Sequence, residues 1–129
     1  MTIVVLDDEP SIVQMCVAVL QSQGHAVKGF TKATDALTHL EGEAADLLVV
    51  DYKMPELTGI DFIKRAWALR PDMRVVMITA HGTREVIARA NDTGVNVVLK
   101  PFTPGELTKG IAQALGGTEM PRPGTASNS

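Results

Sequence analysis

Residues 47–51 of the sequence, LLVVD, place four consecutive apolar residues directly before an aspartate. A short apolar run with β-branched residues is typical of a strand covered on both faces, as in a parallel sheet flanked by helices. The same pattern occurs in IVVLDD over residues 3–8, VVMIT over 75–79 and VVLK over 97–100. Residues 25–30 form a weaker candidate. The sequence therefore predicts five strands in a parallel sheet.

Segments with helical periodicity separate these strands. Thr58 is a predicted N-cap, and Thr103 and Glu106 form a predicted capping box with proline at the first helical position. Alternating strands and helices predict an α/β, doubly wound domain with right-handed crossovers. We expect one domain over residues 1–116. Residues 117–129, rich in Gly, Pro, Ser and Thr without apolar periodicity, predict a flexible tail.

The composition restricts the classes of protein. The chain has 129 residues, 45% of them hydrophobic, and a formal net charge of −3. That length and apolar content fit a single folded domain. No basic surplus is available to neutralise phosphates, so we expect no direct binding of nucleic acid. No apolar run is long enough for a membrane span. The single cysteine, Cys16, excludes an intrachain disulfide and favours a cytoplasmic location.

Polar residues at the strand ends predict the functional site. Because the carboxyl ends of parallel strands share one edge, we expect a cluster there of Asp7, Asp8, Asp51, Thr79 and Lys100. A divalent cation relieves the repulsion among three carboxylates, and oxygen ligands suit Mg²⁺. A metal, an ammonium and a hydroxyl together suit a phosphoryl group. One carboxylate can then act as its nucleophilic acceptor.

We assign the acceptor role to Asp51, because its strand has the most continuous apolar run and is expected to be central. Asp7 and Asp8 are the candidates for holding the metal. Thr79 and Lys100 are the candidates for binding the phosphoryl group.

Four segments together resemble the receiver domain of two-component response regulators. They are VVLDDEP at residues 4–10, VVDYKMPELTG at 49–59, VVMITAHG at 75–82 and VLKPF at 98–102. They occur in the order and spacing of that family, and the similarity covers about residues 2–115. The resemblance implies a flavodoxin-like fold with strand order 2-1-3-4-5.

The resemblance also implies a chemistry for these residues. It implies Mg²⁺-dependent transfer of a phosphoryl group from a phosphohistidine of a histidine kinase to Asp51. Direct metal ligands would be Asp8, Asp51 and the backbone carbonyl of Lys53, with Asp7 acting mainly through water. Thr79 takes a phosphoryl-binding position. Lys100 takes the other and is expected to precede a cis proline.

Three further positions concern how phosphorylation changes the conformation of the domain and how long the phosphoryl group persists. Where the family commonly has a tyrosine or phenylalanine that turns inward in the active state, this chain has Val97. In this chain, the change to the active state therefore cannot be transmitted by the rotation of an aromatic ring at this position. Lys53 and His81 overhang the site in the family and can modulate dephosphorylation.

The leading hypothesis is a signalling switch that acts through protein contacts. It would catalyse only its own phosphotransfer and autodephosphorylation. The expected partners are a sensor histidine kinase or phosphotransfer protein and an unknown downstream protein, with the chain a monomer or a phosphorylation-dependent dimer.

Three alternatives compete with that hypothesis. The chain is a receiver from a longer regulator with an effector domain, a small Mg²⁺-dependent phosphatase with an aspartyl phosphate intermediate, or a flavodoxin-like electron carrier. The phosphatase class has Asp-x-Asp after its first strand, whereas Asp7 and Asp8 are adjacent. The carrier class needs a hydroxyl- and glycine-rich phosphate loop, whereas residues 7–11 read DDEPS.

Overall fold

Five parallel strands form one sheet in the order β2-β1-β3-β4-β5, which confirms the predicted topology. The strands are β1 Thr2–Leu6, β2 Ala26–Phe30, β3 Leu47–Asp51, β4 Arg74–Thr79 and β5 Asn96–Leu99. β3 lies at the centre, as its uninterrupted apolar run predicts, and all five of its residues are buried. The structure, a computed structural model, describes residues 1–116. The predicted tail over 117–129 lies outside the described residues.

Five helices connect the strands: α1 Pro10–Ser22, α2 Ala33–Gly42, α3 Gly59–Leu69, α4 Arg84–Thr93 and α5 Pro104–Ala114. The predicted caps form. The side chain of Thr58 accepts a hydrogen bond from the backbone N–H of Asp61. Thr103 and Glu106 make both bonds of the capping box, which fixes where α5 begins. Within residues 1–116, no helix combines the length and apolarity needed to cross a bilayer.

Alternate residues of the strands pack on opposite faces of the sheet. In β1, Val4 and Leu6 face a core shared with α2, α3 and α4, whereas Ile3 and Val5 face a second core shared with α1 and α5. Cys16 is buried in the second core, where its thiol packs as a small apolar side chain. Because both faces of the central strands β1 and β3 are covered, the polar side chains that follow these strands reach solvent at their ends, and the carboxyl edge carries the candidate site.

Candidate functional site

The strand register brings the predicted residues to one edge of the sheet. Asp51, the last residue of β3, pairs with Ile78, and Thr79, the last residue of β4, pairs with Leu99. A cavity of about 340 Å³ opens above this edge. It is lined by Asp8, Glu9, Asp51, Lys53, Met54, Pro55, Ala80, His81 and Lys100. Asp7 and Thr79 are fully buried and do not line the cavity.

The side chain of Lys100 contacts three of the acidic residues. Its ammonium Nζ lies 2.8 Å from Asp7 Oδ2, 3.1 Å from Glu9 Oε1 and 3.4 Å from Asp51 Oδ1. The peptide bond that follows Lys100 is cis, as the resemblance implies. The predicted convergence of Lys100 with the acidic residues is present in the structure.

The acidic cluster has the composition of a divalent-cation site. Asp7, Asp8 and Asp51 each offer a carboxylate oxygen, and these oxygens lie within 4.8 Å of one another. The described residues around the cavity carry four carboxylates and two ammonium groups: Asp7, Asp8, Glu9 and Asp51, with Lys53 and Lys100. The excess of two negative charges matches a divalent cation, and an all-oxygen donor set suits Mg²⁺. The residues present therefore fit this metal.

Burial and mutual repulsion shape the ionisation of the cluster. Burial, with a further contribution from the Asp7 charge, raises the pKa of Asp51 to about 6, although Lys100 opposes the shift. Burial also raises the pKa of Asp7. Burial lowers the pKa of Lys100, but its bonds to Asp7 and Glu9 outweigh that effect and raise it overall. Lys100 thus stays cationic, while the aspartates gain stability from any additional positive charge.

This repulsion makes a stability prediction for the metal-free protein. Because the folded-state pKa of Asp51 is about 6 against an ordinary 3.8, its favourable contribution is present below pH 4 and is lost as the pH rises through 6. In EDTA at pH 8, Asp51→Asn should therefore raise the free energy of unfolding by roughly 1–3 kcal/mol. Urea unfolding at pH 4 and pH 8 checks this, and the difference should shrink at pH 4.

Asp35→Asn is the matched control for that experiment, because Asp35 is an exposed carboxylate in the first turn of α2. It should give no gain at pH 8. Equal stability of Asp51→Asn and the wild type at pH 8 would show that the acceptor carboxylate carries no electrostatic penalty.

The hydroxyl of Thr79 is tied to the β4–α4 loop. Its Oγ1 accepts a hydrogen bond of 2.8 Å from the backbone N–H of His81. A hydroxyl that accepts one bond still has its own hydrogen to donate. Thr79 can therefore donate to an anion at the strand end while remaining connected to the loop.

The remaining predicted positions surround this centre. The side chains of Lys53 and His81 are exposed and line the cavity, Lys53 from the β3–α3 loop and His81 from the β4–α4 loop. Val97 is half-buried and packs against the core on the α2, α3 and α4 face. It does not line the cavity.

Two residues contribute to the site beyond the sequence-based assignment. Glu9, which follows Asp7 and Asp8 in the sequence, accepts a hydrogen bond from Lys100. Gly59, the first residue of α3, lies against the acceptor strand, because a Cβ there would come 2.5 Å from the backbone oxygen of Asp51. In the sequence, only the position of Glu9 directly after Asp7 and Asp8 indicates that it belongs to the site. For Gly59, the only indication is its place at the end of the segment PELTG.

Comparison with known proteins is consistent with this geometry. The family model for the response regulator receiver domain matches residues 3–112. NtrC of Azospirillum brasilense, a DNA-binding transcriptional regulator, is 31% identical over 93% of this chain and 25% of its own length. The chemotaxis protein CheY homologue of Campylobacter jejuni is 30% identical over 90% of this chain and 93% of its own length.

A solved structure agrees with the sequence relatives. The beryllofluoride-activated NtrC4 receiver domain dimer superposes with a TM-score of 0.82 and 26% identity, covering 90% of this chain and 97% of that one. The chain spans a quarter to a half of the length of several of its curated relatives. The matched family, the shared fold and the clustered acidic residues with their lysine lead to one conclusion. The chain belongs to the response regulator receiver domain family of two-component signal transduction.

Proposed function

We propose that residues 1–116 form a phosphoacceptor domain in which Asp51 receives a phosphoryl group from a phosphohistidine. The observation that carries this proposal is the contact of one lysine, Lys100, with Asp51 and Asp7 at the carboxyl edge of the central strand. Family membership supports it, because receiver domains are signalling domains.

The proposed step is an in-line transfer. An oxygen of the Asp51 carboxylate attacks phosphorus, the P–N bond to the donor imidazole breaks, and the imidazole leaves with the bonding electrons and takes up a proton. The product is an acyl phosphate on Asp51. Lys100, already 3.4 Å from Asp51 Oδ1, is placed to screen the charge of the transferred oxygens. Thr79 donates its free hydroxyl hydrogen to one of them.

Asp8 and Asp51, with the backbone carbonyl of Lys53, are proposed to hold Mg²⁺ directly, with Asp7 acting through water. Mg²⁺ would supply positive charge that neutralises the carboxylates and the phosphoryl oxygens. Asp7 has a second role in this chain, because its carboxylate orients Lys100 at 2.8 Å and accepts the backbone N–H of Glu9 at 2.9 Å.

Lys53 and His81 are proposed to modulate the lifetime of the phosphoryl group. Both side chains line the cavity through which water reaches Asp51. An ammonium and an imidazole there differ in charge and reach, so replacing either changes the rate of hydrolysis without removing the acceptor.

The switch is proposed to start at Thr79 and to proceed without a rotating ring, because Val97 has none. Since the Thr79 hydroxyl holds the N–H of His81, a shift of the hydroxyl toward the phosphoryl group draws the loop with it. Gly82 of that loop packs closely against the side chain of Leu99, which is 50% exposed on the outer strand β5. A movement of the loop would therefore reach the exposed side chain of Leu99, which lies two residues after Val97 on β5.

The proposed partners follow from this mechanism. On the input side we propose a sensor histidine kinase or a phosphotransfer protein in the cytoplasm. On the output side we propose a protein, which includes a second copy of this domain, that binds the phosphorylated and unphosphorylated states with different affinity. The acceptor chemistry is independent of whether an effector domain accompanies this receiver.

The experiment that tests the proposal is intact-protein mass spectrometry. Incubated with Mg²⁺ and acetyl phosphate, the protein should gain the mass of one phosphoryl group, and EDTA added beforehand should prevent the gain. The gained mass should disappear in mild base, because an acyl phosphate hydrolyses there whereas a serine or threonine phosphate persists. Absence of any gain in Mg²⁺ would contradict the proposed function.

A further inference from the structure

Lys100 is surrounded by as many acceptors as it has hydrogen atoms. An ammonium group carries three N–H donors. In this structure three carboxylates, from Asp7, Glu9 and Asp51, lie 2.8 to 3.4 Å from Nζ. Among these three ion pairs, the contact with Glu9 Oε1 is the one that has the geometry of a hydrogen bond, so a phosphoryl oxygen that takes over this donor displaces Glu9.

The three contacts differ in the free energy needed to break them. The side chain of Asp7 is fully buried and that of Asp51 is 7% exposed, whereas that of Glu9 is 60% exposed. A buried carboxylate that loses its cation has no solvent to replace it, but water solvates an exposed carboxylate at once. The bond from Lys100 to Glu9 is therefore the one that an incoming phosphoryl oxygen displaces most easily.

The local structure of Glu9 allows its side chain to move while its backbone stays fixed. The backbone N–H donates to Asp7 Oδ1, and the carbonyl accepts from Ile12 and Val13 at the start of α1. Glu9 is the N-cap residue of α1, yet its side chain makes no capping bond. The carboxylate accepts a hydrogen bond from Lys100 instead.

We propose that Glu9 is a positioning residue that holds Lys100 in the unphosphorylated protein and releases it when a phosphoryl group binds at Asp51. The proposal rests on the proposed function and adds a residue to it. The bond to Glu9 stabilises the resting state, so it opposes the phosphorylated state by the same free energy. Removing the contact should make phosphoryl-like ligands bind more tightly.

Beryllofluoride, a reversible analogue of a phosphoryl group, measures this effect at equilibrium. With saturating Mg²⁺ in low-salt buffer, ¹⁹F NMR gives the bound fraction for each variant. Glutamine keeps an acceptor oxygen but loses the charge that strengthens the bond from Lys100, so Glu9→Gln should lower the dissociation constant about two- to fivefold, the range expected for one exposed ion pair.

Glu9→Asp distinguishes the effect of the bond to Lys100 from the effect of the negative charge at position 9. Aspartate keeps the negative charge, but its side chain is shorter, and at an N-cap it bonds the helix N–H groups. If Glu9 acts through its bond to Lys100, Glu9→Asp should bind beryllofluoride as tightly as Glu9→Gln. If Glu9→Asp behaves as the wild type while Glu9→Gln binds more tightly, only the field of the charge matters and the proposal is wrong.

Glu56→Gln is the matched control, because Glu56 is an exposed carboxylate in the β3–α3 loop and has no contact with Lys100. It should leave the dissociation constant unchanged. An unchanged or raised constant for Glu9→Gln would overturn the role of Glu9 alone. Failure of the wild type to bind beryllofluoride or to gain phosphoryl mass would instead overturn the proposed function, so the two failures are distinct.

Discussion

Asp51→Asn should gain no phosphoryl mass after incubation with Mg²⁺ and acetyl phosphate, whereas the wild type gains one group. The amide is nearly the same size as the carboxylate, but it is a poor nucleophile and cannot form the acyl phosphate. Because Asp51 is the last residue of the central strand, the substitution leaves the backbone and the cavity in place. Intact-protein mass spectrometry with circular dichroism as the folding check gives the result directly.

Asp46→Asn provides the control at the opposite end of the same strand. Asp46 precedes β3 and accepts the backbone N–H of Thr2 through its carboxylate, a bond that an asparagine oxygen can also accept. It should gain phosphoryl mass as the wild type does. A full gain in Asp51→Asn would assign the acceptor to another residue, which peptide mapping would identify.

Lys100→Met should destabilise the metal-free protein by about 3–5 kcal/mol at pH 8, the range expected when one partner of a buried ion pair is removed. Methionine fills a similar volume, so the loss reports charge and not packing. Asp7 and Asp51 would then lose the cation that lies within 3.4 Å of both carboxylates. The loss should be smaller at pH 5, because both carboxyls have raised pKa values and take up protons more readily in the folded state.

Mg²⁺ separates the structural role of Lys100 from its functional one. Saturating Mg²⁺ should restore much of the stability of Lys100→Met in urea unfolding, since a bound cation replaces the missing positive charge. Beryllofluoride binding should stay at least tenfold weaker than in the wild type, an order-of-magnitude expectation for loss of a charge-assisted bond. Lys64→Met, an exposed lysine on α3, should match the wild type in both measurements. Wild-type beryllofluoride affinity in Lys100→Met would exclude Lys100 from the phosphoryl site.

Much of the site follows from the sequence because strand ends are topological features. Once residues 47–50 and 97–99 are recognised as parallel strands, the residues that follow them must share an edge of the sheet. This places Asp51 and Lys100 together without knowledge of any side-chain conformation. The caps at Thr58 and Thr103 are local, so they too could be predicted from a few neighbouring residues.

The bond between Glu9 and Lys100 could not be predicted in this way. The two residues are 91 positions apart, and the bond depends on the rotamers of two long side chains. The acceptor role of the Thr79 hydroxyl toward His81 likewise depends on the course of a loop. Sequence patterns define which elements meet, whereas these contacts depend on distances of a few ångströms.

The close approach of Gly59 to the acceptor strand restricts how this domain can be engineered. A methyl group at position 59 would meet the backbone oxygen of Asp51 at 2.5 Å and Tyr52 Cα at 3.0 Å, so even alanine must move the strand or the helix. Mutant libraries that tune the phosphoryl lifetime through the loop between Asp51 and α3 should therefore keep residue 59 invariant. Diversity placed at Lys53, which is exposed and lines the cavity, changes the entrance to the cavity and leaves the acceptor where it is.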